Sequence, residues 1–202
     1  MSAARPAVQL FDLHADREPP ADPFVLARQW LPADEEPERP RVTLATTGED
    51  GSPNARTVLL SAFDESGFAF HTAATSRKVA ELAADPRAGM VLLWPDHSRQ
   101  LLVRGAVVPD GADQLAAAWA ARSAYLRRLA WCNTDELARL PSSERRAGWA
   151  SVDEQAGQAE GWVGYRLQPR EVTFWAAAPD TASRRLQYTR DGDGWRWAHR
   201  AG

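Results

Sequence analysis

Three stretches between Arg41 and Thr72 alternate apolar or β-branched residues with polar ones: "RVTLATTG" (41–48), "NARTVLLSAF" (54–63) and "FAFHT" (68–72). Only "EDGSP" and "DESG" join them. A period of two marks strands with one buried face. A parallel pair needs a crossover of about a dozen residues or more, which these joints cannot supply, so neighbouring strands run antiparallel. The natural product is an antiparallel meander, and this commits the chain to a β-rich fold.

The rest of the sequence adds to that sheet. "GMVLLWP" (89–95), "RQLLVRGAVVP" (99–109), "WVGYRLQP" (162–169) and "EVTFWAA" (171–177) read as strands. "LQYTRDGDGWRWAHR" (186–200) reads as a hairpin with Asp191-Gly192 or Asp193-Gly194 in its turn. Three segments switch to helical spacing. "DPFVLARQWL" (22–31) opens with an N-cap aspartate and a proline at the first helical position. "SRKVAELAADPRA" follows the third strand and stops at Asp85-Pro86. "ADQLAAAWAARSAYLRRLAW" (112–131) is Ala-rich. Residues 132–160 are polar and weakly patterned, as loops with a short helix are, and "PADEEPERP" is a solvated connector. Seven or eight strands against three helices give a mainly β protein with flanking helices, of the α+β class. A closed or nearly closed antiparallel barrel with helices packed outside fits best. Residues 1–20 form a loose arm, disordered or extended, and residues 21–202 a single domain. Nine tryptophans chiefly fill the core.

Charge and cysteine content narrow the partners. A net charge of -3 and a pI near 5.8 give no general basic footprint for nucleic acid. One cysteine, Cys132, cannot form an internal disulfide, no Cys/His zinc spacing occurs, and no metal is expected. Cys132 carries no mark of a reactive thiol. No apolar run approaches the roughly 20 residues that span a bilayer, and the first residues lack a signal peptide's apolar block. The expected setting is the reducing cytoplasm, away from membranes.

Cations recur where strands end. Arg56 lies in "NARTVLL", Arg99-Gln100 opens "RQLLV", and Arg77-Lys78 follows His71-Thr72 at a strand-to-helix junction. Each alone reads as a solvent-facing side chain. Together they read as an anion site, because a helix N-terminus presents free N–H groups and a favourable dipole. Charge-assisted hydrogen bonds of roughly 1.5–3 kcal/mol each dominate such a site. The dipole adds about 0.3–1 kcal/mol. Ser76 and Thr75 are donors to the anion or caps of the helix, with capping the usual role.

The blocks "ARTVLL", "FDESGFAFHTAATSRKVAELAADPRA", "LLWPDHSRQLLVRG" and "YRLQPREVTFW…SRRLQYTRDGDGWRW" resemble the pyridoxamine 5'-phosphate oxidase family, in family order from about Asp22 to Trp197. The resemblance implies an FMN-binding split barrel, a homodimer with flavins at the subunit interface, and a small-molecule substrate. It implies hydride transfer to the flavin followed by reoxidation, often by dioxygen. Position by position, it places Arg56 and Thr57 at the FMN phosphate or ribityl chain and the backbone of Val58 and Leu59 along the flavin. His71 and Thr72 stand beside the flavin, where members commonly carry Tyr-Thr. Arg77 and Lys78 fall on the phosphate, Gln100 on the isoalloxazine, and Trp175 and Arg185 on the neighbouring subunit's flavin. Trp175 by itself reads as core, and His71 as either a packing residue or a proton-handling catalytic one.

The departures fall on the substrate side. Family oxidases place a lysine for the substrate phosphate directly after "RTVLL", where this chain has Ser61. Their Arg-Leu-His-Asp-Arg run reads Thr181-Ala182-Ser183-Arg184-Arg185 here, which puts Thr181 and Ser183 in place of the first arginine and the histidine. The Tyr, Arg and Ser that hold the substrate phosphate become Ala118, Arg122 and Leu126, with Trp119 a replacement aromatic. A Gln-Ser contact to the FMN phosphate becomes Asp135-Glu136, unless a two-residue shift brings in Asn133-Thr134. The expected activity is therefore FMN-dependent oxidation of a substrate other than a vitamin B6 phosphate. Three alternatives stay open: a genuine pyridoxamine phosphate oxidase using other arginines such as Arg184 or Arg127, a non-catalytic flavin-binding protein, and an F420-dependent reductase.

Overall fold

The computed structural model describes residues 10–32, 39–153 and 157–202; most of the acidic connector lies outside them. Helix α1 (Pro23–Trp30) starts where Asp22 Oδ1 accepts from the Phe24 amide at 2.9 Å, and it buries Phe24, Leu26, Ala27 and Trp30. Replacing Asp22 by alanine removes that cap and should lower stability by about 1 kcal/mol, read as a lower urea midpoint.

Nine strands form one antiparallel sheet. β1 (Arg41–Thr47) pairs with β2 (Pro53–Leu59), and β3 (Ala62–Asp64) with β4 (Gly67–Ala73). After α2 (Arg77–Ala84) come β5 (Arg87–Trp94) and β6 (Arg99–Pro109). Helices α3 (Ala112–Ala121), α4 (Ala124–Cys132), α5 (Asp135–Arg139) and α6 (Ser142–Ser151) follow, then β7 (Trp162–Ala176), β8 (Arg184–Asp191) and β9 (Gly194–Ala201). The order is β2-β1-β5-β6-β7-β4-β3, with β8 and β9 continuing from β7. The two edge strands, β2 and β3, are joined in the chain by only Leu60-Ser61, so the sheet curls until its edges meet. Leu60 N donates to Pro40 O and Ser61 N to Ala69 O at that seam.

This arrangement corrects the simple meander. Residues 54–63 are two strands, and β2 and β4 are not ladder neighbours. Alternation gives each strand a buried face but cannot say which partner covers its edge. The break expected between Pro169 and Glu171 is also absent. β7 runs through it because a register shift opposite Arg104/Gly105 leaves Arg170 unpaired, a bulge that tolerates a residue with no N–H. In the last hairpin Asp191 pairs with Gly194, so the turn is Gly192-Asp193, and Gly192 takes φ +59°. The Ala-rich helix splits at Ser123, whose side chain caps α4 by accepting from Leu126 N. Residues 132–153 hold two helices rather than one.

The barrel interior is apolar. Leu44, Phe68, Phe70, Met90, Leu101, Leu167, Phe174 and Tyr188 are fully buried. Trp30 packs edge-on against Trp94 and Phe174. Tryptophans mostly rim this core instead of filling it: Trp30, Trp119 and Trp162 are buried, while Trp94, Trp149, Trp175, Trp195 and Trp197 are half-buried and Trp131 is exposed. A ring this wide closes the ends of a barrel more readily than its narrow centre. Residues 10–20 lie on the barrel. Leu13 is buried, Arg184 donates to the carbonyls of Leu13 (2.9 Å) and Ala15 (2.8 Å), and Tyr188 Oη donates to Pro20 O at 2.9 Å.

Candidate active site

The junction of β4 and α2 gathers Arg56, Arg77 and Lys78 around a residue that the sequence reading missed, while Arg99 lies elsewhere, its guanidinium 5.5 Å from the Trp30 ring centre. Glu81 is buried on the inner side of α2. Its carboxylate accepts from Thr46 Oγ1 (2.5 Å), Asn54 Nδ2 (2.9 Å) and Arg56 (2.6 Å), and pairs with Arg77 Nε at 2.9 Å. Burial alone raises the Glu81 carboxyl, but the Thr46 and Arg56 hydrogen bonds and the charges of Arg56 and Arg77 hold it below its ordinary value. Arg56 and Arg77 are therefore paired, not free. Arg77 keeps most of its surface in solvent.

Lys78 is placed differently. Among the described residues its ammonium donates only to hydroxyls, Thr72 Oγ1 at 3.0 Å and Ser76 Oγ. Burial, and then the Arg56 charge, lower its pKa against the pull of Glu81. Ser76 occupies the N-cap position of α2 without a capping hydrogen bond, because its oxygen serves Lys78. That overturns the expected capping role. Three cations around one carboxylate leave two positive charges at a helix start, which fits a phosphate group.

Thr57, Val58, Leu59, Ser61, His71, Thr72, Lys78 and Arg122 all line one cavity of about 230 Å³. The fold thus unites cofactor and substrate candidates taken from β2, β4, α2 and the α3–α4 joint. Ala73, Leu126, Leu129, Ala130, Asn133 and Trp162 complete the wall. Asn133 reaches the cavity while Thr134 caps α5 and Asp135 and Glu136 stay exposed, so no carboxylate from this loop lines it. Trp119 is buried edge-on against Trp162, 5.0 Å away, and does not line the cavity as a replacement aromatic. Cys132 is half-buried and burial raises its thiol pKa, as an inert cysteine requires.

His71 sits at the cavity floor. Its ring stacks on Trp162, with centroids 4.5 Å apart and planes 14° apart. Gly164 makes room: a Cβ there would come within 2.8 Å of the ring. Burial lowers the imidazole pKa to about 4; Asp110 opposes this, and Arg122 and Arg166 add to it. Arg166 is buried and donates to Asp110 Oδ1 at 3.0 Å and to Asp64 Oδ2 at 2.9 Å.

The other candidates lie elsewhere. Gln100 faces Trp175 in the β6–β7 register, and Trp175 faces Arg185 in β7–β8, so the three form one row across the sheet, outside the cavity. Thr181 and Ser183 are in the loop after β7, where Ser183 Oγ accepts from Ala178 N at 3.0 Å, and neither lines the cavity. Arg184 holds the N-terminal segment, and Arg127 donates to Ala120 O at 2.7 Å. Glu81, Asp110, Trp162 and Arg166 went unassigned from sequence. Only the Arg77/Glu81 spacing of four residues gave a signal, and it reads equally as a solvated helix pair.

Among the described residues no cluster of metal-ligating side chains occurs, and no helix is long and apolar enough to cross a membrane. Residues 33–176 match the family model described as pyridoxamine 5'-phosphate oxidase. Residues 162–199 match the pyridoxine 5'-phosphate oxidase C-terminal dimerisation region. A pyridoxine/pyridoxamine 5'-phosphate oxidase from Thermosynechococcus vestitus is 38% identical over 181 residues, 86% of each chain. The crystal structure of PhzG from Burkholderia lata 383 in complex with tetrahydrophenazine-1-carboxylic acid superposes with a TM-score of 0.80 at 29% identity, covering 98% of this chain and 100% of that one. An FMN-binding protein from Nostoc punctiforme shares the fold, with a TM-score of 0.65 at 20% identity over 80% of this chain and 87% of that one. These matches span nearly the whole barrel and agree with the four sequence blocks: the chain belongs to the pyridoxamine 5'-phosphate oxidase family, as a flavin-dependent oxidase whose cofactor is FMN.

Proposed function

We propose that this chain oxidises a planar, singly anionic small molecule, and not a vitamin B6 phosphate, as a homodimer with FMN between its subunits. One observation carries the reading. Among the described residues two cations line the cavity, Lys78 and Arg122; with Lys78 at the cofactor phosphate, Arg122 is left for the substrate, and it rests over the Trp162 ring at 5.0 Å. Arg127 and Arg184, the arginines expected to stand in for the family's missing phosphate ligands in the alternative reading, are bound to backbone carbonyls. A phosphate dianion needs several donors to offset its lost hydration, whereas one guanidinium suits a carboxylate. PhzG binds such a flat carboxylic acid in the structure compared above.

In this reading Lys78 and Thr72 hold the FMN phosphate, with Arg56 and Arg77 adding positive field around Glu81. The backbone of Thr57, Val58 and Leu59 lies along the cofactor. Gln100, Trp175 and Arg185, on their separate row, reach the other protomer's flavin across the interface. Bound FMN supplies the two-electron redox chemistry, and the protein supplies binding and orientation.

The test starts from the absorption spectrum and the mass of the released cofactor. Lys78→Ala removes a cation not needed to neutralise Glu81, so the fold should survive while FMN binds about 10- to 100-fold more weakly. The wild-type protein should turn over a reduced tricyclic heteroaromatic acid and leave pyridoxine 5'-phosphate essentially untouched. Efficient oxidation of pyridoxine 5'-phosphate would overturn the reading.

A further inference from the structure

Resting on that reading and extending it, we propose that His71 selects the substrate: its imidazole accepts a hydrogen bond from a ring N–H on the edge of the flat acid. The side chain is 1% exposed, and neither ring nitrogen has a hydrogen-bond partner among the described residues. Buried polar groups are nearly always paired, so this one calls for a partner that the protein does not supply.

The surroundings determine what that partner is. Asp110 Oδ2 lies 4.0 Å from His71 Nε2, too far for a hydrogen bond but close enough to favour the proton on that nitrogen. Nδ1 is then the unpaired acceptor, and an acceptor takes a donor. Arg166 fixes Asp110, and the Trp162 face fixes the ring plane, so the acceptor cannot swing away to find water. Arg122 stands over the Trp162 ring and, among the described residues, has only the Leu126 carbonyl as its hydrogen-bond acceptor, at 3.2 Å, which leaves donors for a carboxylate. Together an unpaired acceptor and a guanidinium with donors to spare specify an acid that carries an N–H, and its flatness comes from the reading above.

The experiment uses the FMN-loaded protein and two probes, indole-2-carboxylate and 1-methylindole-2-carboxylate, titrated by calorimetry. The N–H probe should bind about tenfold more tightly or better, since the N-methyl analogue leaves the acceptor unpaired. The ¹⁵N resonance of His71 Nδ1 should move upfield with the first probe and stay with the second. In His71→Phe the two probes should bind alike. Equal affinities in the wild type, a stationary Nδ1 resonance, binding of neither probe, or discrimination that persists in His71→Phe would each overturn the proposal. The wild-type comparison needs no variant, so it holds even if His71→Phe fails to fold. Failure of the flavoprotein reading shows separately, as purified protein that lacks flavin absorption.

Discussion

Replacing Glu81 by alanine should destabilise the fold by about 3–5 kcal/mol, the range for breaking a buried ion pair from one side. The carboxylate is 1% exposed, and four side chains from β1, β2 and α2 converge on it. Without it the Arg56 guanidinium, 21% exposed, keeps its charge with only Thr46 and the Leu44 carbonyl as partners. Thr46 and Asn54 lose their acceptor as well. Urea unfolding measures the loss. Glu81→Gln keeps an acceptor oxygen and should fall between wild type and alanine. The double variant Glu81→Leu/Arg56→Leu should recover part of the loss, because removing both charges avoids an uncompensated one. A loss below about 1 kcal/mol for Glu81→Ala would mean the cluster is solvated like a surface pair. The same geometry explains why Arg56 is a poor probe of FMN binding: Arg56→Ala strips Glu81 of a partner and confounds stability with affinity. Lys78, which touches only hydroxyls, is cleaner.

The Glu81 cluster also shows where sequence reasoning stops. Arg56, Arg77 and Lys78 were legible as a cluster of cations because each breaks a local rule: a charge within a strand, or paired cations at a helix start. Their compensating carboxylate broke none. On α2 it sits four residues after Arg77, and that spacing is ordinary on a wet helix face. Only the pairing that sets Thr46 opposite Asn54 and Leu44 opposite Arg56 turns the two strands toward it. Strand existence was likewise legible from period-two alternation, while strand order was not, since β2 and β3 read as one run until Leu60-Ser61 folds one edge of the sheet onto the other. The same limit hid Asp110 and Arg166. They belong to β6–β7 pairing, tens of residues from His71, and nothing local to either announces the other.

His71 should make the protein sensitive to mild acid. Its folded pKa is about 4, against an ordinary 6.5. The unfolded chain therefore binds a proton between those values that the folded chain refuses. The sign follows: the stability associated with neutral His71 is fully present above about pH 6.5, falls as pH drops toward 4, and is constant below. At about 1.4 kcal/mol per pH unit the interval amounts to roughly 3 kcal/mol. The groups facing the ring set the direction, with burial foremost, Asp110 opposing, and Arg122 and Arg166 reinforcing. His71→Phe keeps an aromatic ring against Trp162 and removes both unpaired nitrogens, so at pH 8 it should be at least as stable as wild type, by up to about 1–3 kcal/mol. Its advantage should then grow by roughly 3 kcal/mol between pH 6.5 and 4, while the carboxylate-driven losses common to both proteins cancel in the difference. Parallel stability curves for the two proteins across that interval would show that His71 is already charged in the folded state and paired with Asp110. An imidazole that lowers stability yet lines the cavity is the pattern expected of a residue kept for binding.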